Sequence, residues 1–430
     1  MSRRDGSVPV GRWRRLSQLS RAGAEATMGL LVSRDVTQAA AKAAEGLGSL
    51  RGLATKVGQM ASYVDGLVPE AYESVMEDAL RELRSRAPHS PPEAIRAIVE
   101  SELKAPIAEL FETWEEQPFA SASIGQVHRA TLRGGRKVAV KVQHPGIEEA
   151  LESDLSNGAV VARLVGAVAP SALEAQRLYE EVASHFRDEL DYRKEAAWQE
   201  RFRALHAGDP DVVVPSVVAA RSTRRVLCTD LMEGVDLDSF STYGERIRRK
   251  AAETLWRFVY ESILTGGLFN ADPHPGNYLF RPDGTVVFLD FGCVQMLSPE
   301  VQWHSREAHR AAIARNEAAF ASHAAAIVDA KGGTYETVFV DYLRACMEPV
   351  FHSPYRITRK WVRGLVTGLY DLKRDAFKKG SNFVPLPEST VLLNRLQLGF
   401  FSVLARLDVE VDYRAVEQAF LPMHESLRPV

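Results

Sequence analysis

Two side chains with hard oxygen atoms lie in a loop-forming run near the middle of the chain. The run FNADPHPGN covers residues 269–277 and contains Asp272 and Asn277. Proline fixes φ and lacks a backbone donor, so this run predicts a loop of imposed shape and excludes a helix or a central strand. Loops of this kind often carry binding or catalytic groups. The sequence therefore points to chemistry at Asp272 and Asn277.

A predicted hairpin brings a third oxygen ligand to this loop. Residues 277–292 read NYLFRPDGTVVFLDFG, and RPDG predicts a type I turn between two arms of nearly equal length. Paired antiparallel arms place Asn277 and Asp290 side by side at one end. Carboxylate and amide oxygens suit Mg²⁺ better than zinc. We therefore expect Asp272, Asn277 and Asp290 to form an oxygen-rich magnesium site.

A lysine in the middle of a predicted strand is the second chemical signal. Residues 119–143 read FASASIGQVHRATLRGGRKVAVKVQ, and two strand-like runs flank Gly134 and Gly135, which predicts a hairpin. Alternate valines of the second run share one face, and Lys141 lies on the other. A face that carries a lysine is not simple core.

The order of these elements matches a protein kinase. Such enzymes use a strand lysine, a helix carboxylate, an Asp-x-x-x-x-Asn loop and an Asp-Phe-Gly run. Here VAVK ends at Lys141, Glu195 lies on the following helix, predicted over residues 172–205, and DFG begins at Asp290. Each element alone is common, but all four in this order predict an α+β fold of the protein-kinase-like, two-lobe kind.

The loop before the lysine strand departs from an ordinary kinase. A kinase has a glycine-rich loop there, through which backbone N–H groups approach phosphates. This chain has ASASIGQVH at 120–128, with alanine and serine in place of glycine. Alanine restricts positive φ, so we expect a stiffer loop. Its candidate nucleotide-binding residues are Ala120, Ser121, Ala122, Ser123 and Ile124.

Taken together, these motifs resemble the UbiB/ADCK atypical kinases. The resemblance rests on KVGQ (56–59), ASASIGQVH (120–128), VAVKVQ (138–143), ELDYRKEA (189–196), ADPHPGN (271–277) and DFG (290–292). It runs over residues 36–300 and continues into LLNRLQLGFFSVLARLD at 392–408. The spacer before KVGQ looks more like the quinone-biosynthesis ATPase branch than the branch with membrane-spanning C-terminal helices.

The resemblance implies a role for each matching residue. Lys141 would hold the α- and β-phosphates of ATP or ADP and pair with Glu195. Asp272 would be the catalytic aspartate, and Asn277 and Asp290 would hold Mg²⁺.

The resemblance also implies a hinge and a regulatory set. The predicted strand RVLCTDLMEG would end in a hinge at which Asp230 and Met232 meet adenine. Lys56 and Gln59 would cover the cleft in which a protein substrate would dock, tied there through the ELD carboxylates. These carboxylates are Glu189 and Asp191, and we expect Asp191 to share a helical face with Glu195 four residues on.

Two positions depart from the family pattern. Asn270 stands where the family usually has histidine, and Trp198 stands where asparagine is common. We expect Asn270 to weaken the scaffolding of the catalytic loop, although neither change removes a phosphate or metal ligand. His274 beside Asp272 suggests either a His/Asp metal site or a brace within the loop, and the brace is the preferred interpretation.

Composition narrows the function classes. The net charge of −3 gives no indication of nucleic-acid binding, and the three scattered cysteines fit a reduced, cytoplasmic compartment. No apolar stretch reaches the 18 residues needed to cross a bilayer. The basic N-terminus is either a solvated tail or a segment that lies on an anionic membrane surface, where quinone-pathway lipids or enzymes would be partners.

The predicted organisation has four parts. Residues 1–35 form a basic tail, 36–115 a helical extension carrying KxGQ, 116–232 the N-lobe, and 233–430 a mostly helical C-lobe. Within the extension, helices are predicted over 36–64 and 69–86. A further helix is predicted to begin with Ser90 as N-cap, Pro91 in the first turn and Glu93 completing a capping box.

Three functions fit these features. The first is an Mg²⁺-dependent atypical kinase or ATPase that supports isoprenoid-quinone or related lipid metabolism, with phosphorylation of other proteins disfavoured by the extension. The second is a small-molecule phosphotransferase of the aminoglycoside or choline kinase type, which KVGQ and the alanine-rich loop disfavour. The third is a nucleotide-binding scaffold without turnover.

Overall fold

The computed structural model describes residues 89–122, 124–156, 187–376, 382, 384 and 393–422. Their helices and strands confirm the predicted α+β class. The chain divides into two compact units. The described residues up to Ala197, together with Ser216–Met232, belong to the first unit, and Trp198–Pro215 and the described residues from Glu233 onward belong to the second. The helices predicted over 36–64 and 69–86, with Lys56 and Gln59, lie outside the described residues.

The first unit combines short helices with a five-stranded antiparallel sheet. Its strands run in the order β1-β3-β4-β6, and β2 pairs with β3. The elements are α1 (Pro92–Leu103), α2 (Ile107–Leu110), β1 (Thr113–Trp114), β2 (Ala120–Ser121), β3 (Gly125–Thr131), β4 (Lys137–Gln143), α3 (Ile147–Ser156), the beginning of α4 (Tyr192–Leu205) and β6 (Val226–Asp230).

The predicted hairpin around the lysine is confirmed. Strands β3 and β4 pair antiparallel, and Gly134 and Gly135 adopt φ values of +96° and +84° at the turn between them. The alternate valines of β4 are fully buried in the core of this unit. Each buried valine contributes about 1.5–3 kcal/mol from the removal of apolar surface from water. Because side chains alternate along a strand, this burial fixes Lys141 on the opposite face of β4.

The predicted capping box at Ser90 is wrong. Helix α1 begins at Pro92 with Pro91 as its N-cap, and no side chain caps it. The N–H of Ser90 instead donates to Gln126 Oε1 over 2.8 Å, and its hydroxyl lies 2.9 Å from His144 Nδ1. Ser90 thus serves a tertiary contact that a local sequence pattern does not encode.

The predicted continuous helix over 172–205 is also wrong in its described part. Residues 187–189 are helical, but the helix is interrupted before Asp191 and α4 begins one residue later. The Asp191 carboxylate accepts the backbone N–H of Arg193 over 3.1 Å, which satisfies a donor at the start of the new helix. Asp191 and Glu195 therefore do not share a helical face, and one helix does not present both carboxylates.

The second unit is mostly helical, as predicted for the chain beyond residue 300. Its helices are the end of α4, α5 (Leu237–Phe240), α6 (Glu245–Glu261), α7 (Pro299–Ile313), α8 (Glu317–Ile327), α9 (Gly333–Cys346), α10 (Glu348–Phe351), α11 (Arg359–Ala376), α12 (Leu393–Leu407) and α13 (Tyr413–Phe420). Its strands are β5 (Val212–Val213), β7 (Leu268–Asn270), β8 (Tyr278–Phe280), β9 (Val286–Phe288), β10 (Val294–Met296), β11 (Tyr355–Arg356) and β12 (Glu410–Val411).

The second predicted hairpin is confirmed as well. Strands β8 and β9 pair antiparallel, and the N–H of Gly284 donates to the carbonyl of Arg281 over 3.0 Å across the turn. Beyond β9, the Phe291 ring is fully buried against Phe202, with ring centroids 5.0 Å apart. This apolar contact holds the neighbouring Asp290 backbone in place.

Two sequence-based expectations concern membrane-spanning helices and the cysteines. Among the described residues, no helix has the length and apolar character that crossing a membrane requires. All three cysteines are buried and form no disulfide, so each packs as a small apolar side chain.

A glycine at the start of β3 is required by the close approach of its neighbours. A Cβ on Gly125 would lie 2.4 Å from the Val142 carbonyl oxygen and 2.8 Å from the Tyr192 hydroxyl. We expect Gly125→Ala to lower the free energy of unfolding by about 1–3 kcal/mol, measured by urea denaturation. Gly364 on α11 has open space around its Cα, so Gly364→Ala should instead raise it by roughly 0.5–1 kcal/mol. Equal stability of Gly125→Ala and the wild type would contradict this packing.

Candidate active site

A buried ion pair joins strand β4 to helix α4. Lys141 Nζ lies 2.8 and 2.9 Å from the two Glu195 oxygens. The side chains are only 16% and 5% exposed, so both charges are largely removed from water. Lys141 Nζ also lies 5.1 Å from the ring centroid of Tyr192. The predicted pairing of Lys141 with Glu195 is thus observed.

The position of Glu195 explains how a buried carboxylate is tolerated. It lies in the first turn of α4, where the unsatisfied N–H groups and the helix dipole favour negative charge. Strand β4 is held on both sides, by β3 and β6, so its lysine has little freedom to move away. The N-terminal end of α4 therefore favours the negative charge of Glu195, and the rigid strand β4 keeps Lys141 beside it.

The alanine-rich loop is a tight hairpin between β2 and β3. Ala120 is paired with Val127, and the N–H of Ala122 donates to the Gly125 carbonyl over 2.8 Å. Ile124 is buried, and its carbonyl accepts the N–H of His144. Ala120, Ser121, Ala122 and Ile124 all lack positive φ, which agrees with a loop that needs no glycine there, and Ser123 lies outside the described residues. Contact of this loop with a nucleotide stays a prediction.

The predicted hinge begins with a residue that already has side-chain and backbone partners. The Asp230 carboxylate accepts Arg136 Nε over 2.7 Å, and its N–H donates to the Ser216 carbonyl over 3.1 Å. The next N–H, that of Leu231, donates to the Lys137 carbonyl over 3.1 Å. The carboxylate of Asp230 is therefore part of a structural ion pair, and a role of Asp230 and Met232 in nucleotide binding stays a prediction.

Asn270 ties the catalytic-loop candidate to the Asp-Phe-Gly run. Its amide nitrogen donates to the Asp290 carbonyl over 2.6 Å, and its amide oxygen accepts the N–H of Asp272 over 3.1 Å. One neutral amide thus supplies both a donor and an acceptor to this scaffold, and the expectation that it is weaker than a scaffold with histidine stays a prediction. Sequence reasoning missed this role since it compared residue types and not their bonds.

The remaining loop residues brace one another. Asn277 Nδ2 donates to the Asp272 carbonyl over 3.0 Å and lies 3.2 Å from Asp272 Oδ2. His274 Nδ1 accepts the N–H of Gly276 over 2.8 Å, which confirms the brace as its role. These bonds hold the proline-containing loop in a single shape around the Asp272 carboxylate.

Asp290 completes the oxygen-rich group. Its Oδ1 accepts the N–H of Gly292 over 2.9 Å, and the adjacent Leu289 N–H donates to the Asn277 carbonyl over 2.9 Å. Burial, reinforced by the negative charge of Asp272, raises the pKa of the Tyr278 hydroxyl well above its usual range. The Tyr278 hydroxyl therefore stays neutral at physiological pH.

These donors fit a magnesium ion that binds together with phosphates. Because Asn277 Nδ2 donates to Asp272, its amide oxygen is turned away from that residue. Within the described ranges, no group of three or more His, Cys, Asp or Glu side chains could hold a metal. Mg²⁺ commonly takes one or two protein oxygens and completes its shell with waters and substrate phosphates. The side chains of Asn277 and Asp290 carry oxygens of this kind, and their binding of Mg²⁺ stays a prediction.

The two predicted regulatory carboxylates lie close to the helix break that precedes α4. Glu189 comes before this break and Asp191 lies at it. Asp191 pairs with Arg193 Nη2 over 2.6 Å, and this guanidinium lowers the pKa of the carboxyl group. Glu189 lies in the short helical segment before the break. Lys56 and Gln59 are outside the described residues, so their link to Glu189 and Asp191 stays a prediction.

The sequence of these groups along the chain defines a class. A strand lysine paired with a helix carboxylate, an Asp–Asn loop and a following Asp-Phe-Gly run are the marks of a protein-kinase-like fold. The family model described as the ABC1 atypical kinase-like domain matches residues 82–324, more than half of the chain. The chain belongs to this family, which agrees with its resemblance to the UbiB/ADCK kinases.

Relatives by sequence and by structure agree with this assignment. The chloroplastic Arabidopsis thaliana protein ACTIVITY OF BC1 COMPLEX KINASE 8 is 35% identical over 57% of this chain and 33% of its own length. The mitochondrial atypical kinase COQ8B of Rattus norvegicus is 33% identical over 61% of this chain and 49% of its own. The chain thus spans half or less of the length of these relatives.

A solved structure also matches. It is the complex of Rv3197 with erythromycin from Mycobacterium tuberculosis, which is 26% identical and has a TM-score of 0.62. The match covers 95% of this chain and 97% of that chain.

The ion pair makes a stability prediction. We expect Lys141→Met to cost about 3 kcal/mol of unfolding free energy, because Glu195 stays buried without its ammonium partner. The double variant Lys141→Met/Glu195→Leu should recover most of this loss. Lys137→Met, on an exposed position of the same strand, is the matched control and should change little. Thermal or urea unfolding of the wild type and the three variants measures these differences in stability. A Lys141→Met protein as stable as Lys137→Met would contradict the account.

The Asn270 amide makes a second prediction. Asn270→Leu keeps a similar side-chain volume but removes both hydrogen bonds. The free energy needed to open the loop locally should therefore fall by about 1–3 kcal/mol. Asn270→Asp keeps the acceptor for the Asp272 N–H but loses the donor, so it should fall between Leu and wild type. Hydrogen exchange of the Asp272 amide measures the series. Unchanged exchange in Asn270→Leu would refute the role assigned to Asn270.

Proposed function

We propose that this chain is an Mg²⁺-dependent atypical kinase or ATPase that binds ATP and ADP and supports isoprenoid-quinone or related lipid metabolism. The observation that carries the proposal is the buried Lys141–Glu195 pair. A pair of buried charges is rarely favourable for stability compared with apolar side chains of the same size. Its presence is better explained by a lysine that must be held ready for an anion such as a phosphate.

In this proposal, each group has one task. Lys141, oriented by Glu195, binds nucleotide phosphates through its ammonium group. Asn277 and Asp290 hold Mg²⁺, which neutralises the phosphate charge when bound. Asp272 accepts a proton from, or orients, the attacking hydroxyl or water. The bonds of Asn270 and Asn277 to the Asp272 segment keep this carboxylate in a fixed position.

The resemblance and the relatives both bear on which molecule would accept the phosphate. The resemblance implies that Lys56 and Gln59 cover the protein-substrate cleft, so transfer to other proteins is disfavoured. Relatives that include a protein named atypical kinase COQ8B support a role connected with quinone lipids. A phenol-like quinone precursor at an anionic membrane surface is therefore the proposed context, and nucleic acid is not a proposed partner.

Two other functions remain in competition. A small-molecule phosphotransferase would transfer phosphate stoichiometrically to an aminoglycoside or an amino alcohol. A nucleotide-binding scaffold would bind ADP or ATP and hydrolyse neither under any lipid condition. The presence of Lys141, Glu195, Asp272, Asn277 and Asp290 together disfavours the scaffold.

The test is ATP hydrolysis by the purified chain with Mg²⁺, with and without anionic liposomes and a phenol-like quinone precursor. We expect lipid-stimulated turnover that falls about a hundredfold or more in Asp290→Asn, because the variant loses a carboxylate proposed to hold the Mg²⁺ that neutralises the phosphate. Asp283→Asn, in the exposed turn of the same hairpin, is the matched control and should keep wild-type turnover. Turnover retained in Asp290→Asn would sink the proposal.

A companion variant tests the proposed role of the extension. Lys56→Ala should allow the protein to phosphorylate itself if Lys56 blocks the protein-substrate cleft. Radiolabelled phosphate transfer from ATP to the chain measures this gain. A Lys56→Ala protein that hydrolyses ATP normally and never becomes labelled would separate the ATPase proposal, which survives, from the blocking role, which would not.

A further inference from the structure

Two side chains of the ASASIGQVH motif make hydrogen bonds away from the residues that are predicted to bind nucleotide. Gln126 and His128 lie on β3 and are fully buried. The nucleotide-binding prediction covered residues 120–124 and left these two without a role. Their polar atoms join backbone groups at Ser90 and Glu115, and all four residues belong to the first unit.

The contacts form a continuous series of hydrogen bonds. The N–H of Ser90 donates to Gln126 Oε1 over 2.8 Å. Gln126 Nε2 lies 2.9 Å from His128 Nε2. His128 Nδ1 lies 2.8 Å from the Glu115 carbonyl oxygen. We call this series the Ser90 anchor.

Both ends of the Ser90 anchor are backbone groups with fixed hydrogen-bonding character. The Glu115 carbonyl can only accept, so Nδ1 of His128 must carry a proton. The Ser90 N–H can only donate, so the Gln126 amide must present its oxygen to Ser90 and its nitrogen to His128. His128 Nε2 must then accept, which requires a neutral imidazole. Together, the two ends select a neutral imidazole with its proton on Nδ1.

Protonation of His128 breaks the series whichever way its members turn. An imidazolium has N–H groups on both nitrogens, so Nε2 would face the donating nitrogen of Gln126. Turning the Gln126 amide over would satisfy His128 but would set its nitrogen against the Ser90 N–H. One buried hydrogen bond is therefore lost in either orientation.

The surroundings of His128 oppose its protonation on balance. Burial lowers the pKa of His128 below its ordinary value of 6.5, and the positive charge of His89 acts in the same direction. The Glu115 carbonyl and the Glu116 and Glu115 carboxylates oppose this shift. The indole of Trp114 stacks on the imidazole with ring centroids 4.8 Å apart. A second imidazole contacts the other end of the series, because the Ser90 hydroxyl lies 2.9 Å from His144 Nδ1.

We propose that Gln126 and His128 form a proton-sensitive anchor that fixes Ser90, the residue just before the start of helix α1. The anchor is closed while His128 is neutral and loses one bond when His128 is protonated. Its stabilising effect is complete above pH 6.5, the ordinary value for the unfolded chain, and decreases as the pH falls from there toward the pKa in the folded protein. This regulatory device does not depend on the proposed nucleotide chemistry.

Hydrogen exchange of the Ser90 amide tests the proposal on the full chain. The wild type should lose protection at Ser90 by roughly tenfold as His128 titrates, after correction for the intrinsic pH dependence of exchange. The amide of Val99, in the middle of α1, is the internal control and should stay protected, because the change is local. Loss of protection at both amides together would indicate unfolding of the unit and would overturn the proposal.

Two substitutions of Gln126 give opposite expectations. Gln126→Met removes the acceptor for Ser90, so the amide should exchange rapidly at every pH. Gln126→Glu supplies a carboxylate that accepts from both Ser90 and an imidazolium, so protection should persist through the acidic range. Wild-type pH dependence in either variant would overturn the anchor.

Nitrogen NMR of labelled histidines tests the wild type without any substitution. We expect neutral His128 to carry its proton on Nδ1, and its titration to coincide with the loss of Ser90 protection. A proton on Nε2, or an imidazole that stays neutral until the unit unfolds, would overturn the proposal even if the variants fold poorly.

Discussion

The arrangement of the first unit depends on keeping two opposite charges together in a largely dry environment. Lys141 and Glu195 are 54 residues apart in sequence, and their side-chain atoms meet at 2.8 Å. Removing each charge from water costs several kcal/mol, so the attraction must be maintained by good geometry. The buried valines fix the strand that carries Lys141, and the break at Asp191 sets where the helix that carries Glu195 begins. The sheet and the helix start thus both serve the position of one ammonium group.

The second unit meets a different constraint, which is to hold the Asp272 and Asp290 segments of the chain in place relative to each other. It does so with amides. Asn270 and Asn277 donate to the backbone carbonyls of Asp290 and Asp272, and Asn277 also approaches an Asp272 carboxylate oxygen. Amides do not titrate near neutral pH, so this scaffold keeps its hydrogen bonds across the physiological range. The two aspartate segments are thus tied within the loop by amide groups that carry no charge.

Features that repeat along the chain were predictable, and features that depend on distant partners were not. Alternation of valines predicted the face of Lys141, and the RPDG turn predicted the hairpin that leads to Asp290. The helix break at Asp191 was missed because DELDYRKEA favours a helix throughout, and the decisive contact is a side chain capping a backbone N–H. Ser90 has the composition of an N-cap, but its N–H is taken by Gln126, 36 residues away.

The proposed function requires the chain to bind a magnesium nucleotide through Lys141. The most direct measurement is the equilibrium affinity of the purified chain for ADP and ATP, with Mg²⁺ and with EDTA, for wild type, Lys141→Met and the exposed-lysine control Lys137→Met. We predict binding that requires Mg²⁺, that weakens at least about tenfold in Lys141→Met from the loss of a charge-assisted contact, and that is unchanged in Lys137→Met. Absence of binding in the wild type, or binding indifferent to both Mg²⁺ and Lys141, would contradict it.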